Sequence, residues 1–158
     1  MGMLAWAFLS LALGGAGRTD SPSPAASPVA AVTEITYERN CFGCPTGSIL
    51  VLKRDGTATY TVTGNARQGT ADRTSTGRIG REEFDSLARL LVARGFFAMQ
   101  DEYADPQLRD GEWSSVTAVR GGVEKKVFER NGAGPAGLQA IEKAIDALRS
   151  RVVLNPVP

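Results

Sequence analysis

Cys41 and Cys44 are the only thiols in the chain, and no histidine accompanies them. The spacing Cys41-Phe-Gly-Cys44 suits a redox dithiol, half of a zinc site, or a short structural disulfide closing a turn. A redox pair normally opens a helix, where the positive end of the macrodipole stabilises the attacking thiolate. Here Pro45-Thr-Gly47 leads straight into Ser48-Ile-Leu-Val-Leu-Lys53, which reads as a strand. A structural zinc site needs a full tetrahedral set of ligands, usually cysteine or histidine, which one subunit does not supply. The surroundings therefore favour a structural disulfide, with redox or regulatory thiol chemistry and metal bridging between chains as the alternatives. A loop this short gains little from closure entropy, so its role would be to fix a turn between two strands.

The second group with chemical potential is the acidic loop Asp101-Glu-Tyr-Ala-Asp-Pro-Gln-Leu-Arg-Asp-Gly-Glu112. A glycosidase-like carboxylate pair could be drawn from Asp101, Glu102, Asp105, Asp110 and Glu112. The plainer reading is a solvated loop whose Asp side chains cap turns. Calcium could bind the same carboxylates, but the loop lacks the register of an EF-hand, and no metal is assigned. Tyr103 and Trp113 flank the loop, so Asp101, Tyr103, Asp105, Asp110 and Trp113 form a candidate binding loop, although an inward Trp113 is the more ordinary fate.

The absence of histidine removes the commonest general base and metal ligand, and with it the serine-histidine and cysteine-histidine mechanisms. No phosphate-cradling glycine motif stands at a strand-to-helix junction, so no nucleotide or other cofactor is expected. Lys and Arg total 18 against 17 for Asp and Glu, which leaves no overall field directed at nucleic acid or an anionic membrane. Arginines 67, 73, 78 and 81 lack regular spacing and read as a solvated edge or loop.

These residues must be positioned by a chain of 158 residues, 42% hydrophobic and 22% charged, a size that fits one globular domain plus a leader. The run Met3 to Ala16 is apolar apart from one serine, and Gly17, Arg18 and a polar stretch follow it. That pattern predicts a signal peptide over 1–17 and hence no membrane span in the mature form. No Lys or Arg precedes Arg18, so either the α-amino group supplies the usual positive charge or translation starts upstream. Residues 18–31 are rich in Pro, Ser and Ala and predict a disordered tether. Export and a paired Cys41 and Cys44 support each other, because disulfides persist in oxidising compartments.

Residues 32–151 then read as a single α+β domain. Glu34 to Glu38 alternates as a first strand with Ile35 and Tyr37 on one face. Strands Ile49 to Lys53 and Ala58 to Val62 flank Asp55-Gly56, a strong hairpin signal, and Arg73 to Ile79 could return as a further strand. Arg81 to Arg94 has helical spacing at Phe84, Leu87, Ala88 and Leu91, with Gly95 as its stop. Trp113 to Arg120 and Val123 to Arg130 straddle Gly121-Gly122 as a second hairpin. Pro135 opens a second helix with Leu138, Ile141, Ile145 and Leu148 in one stripe, and 152–158 is a tail. Hairpins require antiparallel pairing, and two helices with one apolar stripe each suit one face. The expected fold is a two-layer sandwich, an antiparallel sheet built from hairpins with both helices on one side.

From about Ile35 to Leu148 the chain resembles a family of small exported bacterial domains of unknown function with a Cys-x-x-Cys-Pro motif. The residues that carry the resemblance are Cys41, Cys44, Pro45, Asp55, Gly56, Tyr60, Phe97, Tyr103, Asp110, Pro135 and Leu138. The resemblance implies the fold and export, and it brings no activity. The functional expectation is an exported, periplasmic or extracellular, non-catalytic binding or structural domain whose partner is an envelope or extracellular molecule. The alternatives are an envelope thiol-disulfide or redox-sensing protein using Cys41 and Cys44, and a small hydrolase using the acidic loop.

Overall fold

The computed structural model describes residues 29, 31–108 and 110–157; the signal peptide read over 1–17 and nearly all of the tether lie outside them. Ten elements follow one another: β1 (Val32–Cys41), β2 (Gly47–Lys53), β3 (Thr57–Thr63), β4 (Arg73–Arg78), α1 (Arg81–Ala93), β5 (Glu102–Tyr103), β6 (Glu112–Arg120), β7 (Val123–Arg130), α2 (Ala136–Arg149) and β8 (Leu154–Pro156). The strands form one sheet in the order β5-β7-β6-β1-β2-β3-β4-β8. Every neighbouring pair is antiparallel except β5 with β7, which is parallel.

Turn chemistry sets the register as the sequence predicts. In the first hairpin the Asp55 carboxylate accepts the Thr57 N–H at 2.8 Å, and Gly56 takes a φ of 90°. Gly121 and Gly122, both at positive φ, join β6 to β7 as a two-residue turn, whose twist matches that of the strands. The first hairpin is tied to α1 by the Arg54 to Asp85 ion pair at 3.3 Å.

Three features go beyond the sequence reading. Within the acidic loop, Glu102–Tyr103 adds a short parallel edge strand, so the sheet is not wholly antiparallel. Residues 154–156 of the tail pair with β4 and cover the other edge. The first strand is also longer than its alternating core, since it runs to Cys41 and pairs on both sides, with β2 and with β6.

The core is one cluster. Alternate sheet residues Ile35, Tyr37, Leu50, Leu52, Ala58, Val116, Ala118 and Val127 join Phe84, Leu87, Ala88 and Leu91 of α1 and Leu138, Ile141, Ile145 and Leu148 of α2. Burying these side chains supplies the main driving force, on the order of 1.5–3 kcal/mol for each large one. Phe96, in the short 3-10 helix after α1, is fully buried, while Arg120 stacks over the neighbouring Phe97 ring, 3.7 Å from its centroid.

A candidate binding cleft at the polar end of the core

The strand register lines up residues from neighbouring strands on the core face of the sheet. One row is Lys125, Ala118, Ile35, Leu52 and Ala58. The next is Val127, Val116, Tyr37, Leu50 and Tyr60. The third is Glu129, Ser114, Arg39 and Ser48, so at one end of the sheet the core face turns from apolar to polar. From α2, Glu142 and Asp146 reach this polar row one helical turn apart. Glu142 Oε1 lies 2.5 Å from Ser114 Oγ, and Asp146 pairs with Arg39 at 3.3 Å.

Glu129 and Glu142 are both buried. Glu129 Oε2 accepts the Gly134 N–H at 2.8 Å, while its Oε1 lies 3.4 Å from Ser114 Oγ. A Cβ at Gly134 would run into the Glu129 carboxylate and the end of the Leu138 side chain, so either would have to shift from its present position. Burial, opposed by the Ser114 hydrogen bond and reinforced by Glu129, pushes the Glu142 carboxyl up to about 7. Near neutral pH Glu142 is therefore partly protonated.

Tyr37 stands behind this pair with 6% of its surface exposed. Burial first, then the charge of Glu142, holds its phenol well above the usual range, so it stays a neutral hydroxyl. That hydroxyl makes no hydrogen bond with any described residue and lines a cavity of about 380 Å³. Arg39, Glu112, Trp113, Ser114, Glu129, Asn131, Gly132 and Glu142 complete the wall. An adjoining hollow of about 310 Å³ shares Arg39, Glu112 and Trp113 and reaches Cys41 and Cys44.

Cys41 and Cys44 are disulfide-bonded, with Cα atoms 5.3 Å apart. Cys41 ends β1 and Cys44 lies in the turn before β2, so the pair sits at a strand end. The candidate binding loop is only partly brought to the cleft. Trp113 lines it, whereas Asp101, Tyr103, Asp105 and Asp110 do not. Asp101 is paired with Lys125, which also donates to the Met99 carbonyl at 2.6 Å. Asp105 accepts the Gln107 N–H at 2.8 Å, the Asp110 carbonyl accepts from Asn131 Nδ2 at 3.2 Å, and the Tyr103 hydroxyl accepts the Gln100 N–H at 3.1 Å. These contacts are those of a turn held in place.

Glu129, Glu142 and Ser114 were not singled out by sequence reasoning, yet each leaves a signal. Glu129 follows Val127 by two along β7 and Ser114 precedes Val116 by two along β6, so alternation turns both inward. Glu142 sits four residues after Leu138 and beside Ile141, on the flank of the buried stripe.

A family model described as a domain of unknown function, DUF6438, matches residues 33–149. The match spans most of the chain, which belongs to that family. Comparison with curated proteins gives no match.

Proposed function

We propose that this member of the family is an exported, non-catalytic domain that binds an envelope or extracellular molecule in the cleft at the polar end of its core. The observation that carries the reading is the cavity walled by Tyr37, Ser114, Glu129 and Glu142, on which Tyr37 is a largely buried residue whose hydroxyl has no hydrogen-bond partner among the described residues. A ligand that bonds this hydroxyl gains a hydrogen bond worth about 0.5–1.5 kcal/mol.

The arrangement that supports the cleft is a two-layer sandwich with both helices on one sheet face, consistent with the single core cluster that contains both helical stripes. Cys41 and Cys44 act as a structural clasp beside the cleft, supported by their position at a strand end and not at the start of a helix. Export rests on the apolar run Met3 to Ala16 and on the cysteine pair. No helix among the described residues is long and apolar enough to cross a membrane.

The binding reading is tested by offering the purified protein panels of small amines, polyols, carboxylates and short peptides while the indole resonance of Trp113 is followed. A saturable shift confined to cleft residues is expected for one class. Turnover of any panel compound, abolished by a single carboxylate substitution, would overturn the non-catalytic assignment. Export is checked separately by cell fractionation and intact mass, which should show a chain starting near residue 18 and lacking both thiol hydrogens.

A further inference from the structure

We propose that the cleft selects an organic cation with a primary ammonium group, held between Glu142, Glu129 and the Tyr37 hydroxyl. The inference deepens the binding reading and rests on it. Three observations lead to this ligand class. The wall carries the carboxyl groups of Glu112, Glu129 and Glu142 against the single guanidinium of Arg39, whose charge is already engaged by Asp146 at 3.3 Å. The local balance therefore favours a positive guest and repels an anionic one. The available groups at the inner end are hydrogen-bond acceptors, the Tyr37 hydroxyl oxygen and the carboxyl oxygens, which match the several N–H donors of an ammonium. At about 380 Å³ the space admits a small alkylamine.

The groups that face Glu142 give the binding a proton signature. They are Tyr37 and Arg39 from β1, Ser114 from β6, Glu129 from β7 and Asp146 from its own helix. At neutral pH Glu142 retains part of its proton because burial, reinforced by the neighbouring Glu129, disfavours its charged form. An ammonium entering the site replaces that proton, which leaves to solvent as Glu142 becomes a carboxylate. Affinity should therefore rise with pH through the range where Glu142 titrates.

The experiment is calorimetric titration of the full purified chain with putrescine at pH 5.5 and pH 8, in buffers of different ionisation enthalpy, with glucose as the neutral comparison. Binding at least about tenfold weaker at the lower pH is expected, with proton release on binding at neutral pH. Tyr37→Phe should weaken putrescine several-fold while its circular dichroism and melting temperature show an intact fold. Glu142→Gln should flatten the pH dependence, and if that variant does not fold, Tyr37→Phe carries the test alone. Putrescine affinity that ignores both pH and the Tyr37 hydroxyl would overturn the proposal. Saturable glucose binding that shifts Trp113, without amine binding, would overturn the cation assignment and leave the binding reading standing. No response of Trp113 to putrescine, glucose or the wider panel would remove both.

Discussion

The two ends of the core face differ in what they bury. Ile35, Leu52 and Ala118 are buried in one cluster with the apolar stripes of the helices. One strand-residue pair beyond Tyr37 and Val116, the same strands and the same α2 bury Glu129, Ser114 and Glu142. The β1–β6 register runs unbroken from Ile35 through Arg39, so between these two rows the contrast lies in the side chains. An apolar row at the second end would be easier to fold, since buried polar groups stabilise only when fully satisfied. The polar end opens on a cavity where the Tyr37 hydroxyl has no partner among the described residues, and that asymmetry is what marks it as a candidate site.

The contrast can be broken most forcefully at the apolar end. Leu91→Ala removes a fully buried side chain and should cost about 2–5 kcal/mol in urea unfolding, at every pH tested. The polar end should respond to pH instead. Burial holds the folded-state pKa of Glu142 at about 7, against 4.5 for the free group, so the folded state binds the proton more tightly. The stabilisation it gives is fully present below about pH 4.5 and is lost as pH rises to about 7, a change on the order of 3 kcal/mol. Glu142→Gln should remove that slope, which matched unfolding curves across this window would reveal.

Reduction of the Cys41–Cys44 disulfide, which borders the polar end, should lower stability by no more than about 2 kcal/mol, the ceiling that loop entropy sets for so short a ring. It should do so without unfolding the sheet, as thermal melts with and without reductant would show. Tyr37→Phe sharpens the comparison in the opposite direction, because deleting a hydroxyl without a partner should leave the unliganded protein as stable or up to about 1 kcal/mol more stable. The smallest effect belongs to the acidic loop, where Asp105→Ala loses an exposed turn contact and should change stability by about 0.5 kcal/mol or less.

Local pattern made the elements legible. Asp55-Gly56 and Gly121-Gly122 located both hairpins, and the spacing of Phe84, Leu87, Ala88 and Leu91 located α1, because turn chemistry and amphipathic periodicity are properties of short stretches. The short edge strands were not legible. Glu102–Tyr103 and Leu154–Pro156 are held by the neighbouring strands, and their own composition does not mark them. The polar cleft was hidden for a related reason. Asp101, Asp105 and Asp110 stand close together in sequence, and that density drew attention to a loop whose carboxylates serve turns and an ion pair. Glu129 and Glu142 are separated by a loop and a helical turn, and only the β6–β7 register with the docking of α2 brings both to Ser114. Trp113 is the one member of the candidate loop that lines the cleft, and it does so from the start of strand β6, where it pairs with Asn40.

The most direct measurement is the carboxyl ¹³C titration of Glu142 in the folded protein, with Glu142→Gln used to assign the resonance. The account predicts a midpoint near 7, moved downward when putrescine is present. A midpoint near 4.5, unmoved by amine, would mean that the carboxyl is solvated and that the polar end of the core is not a binding cleft.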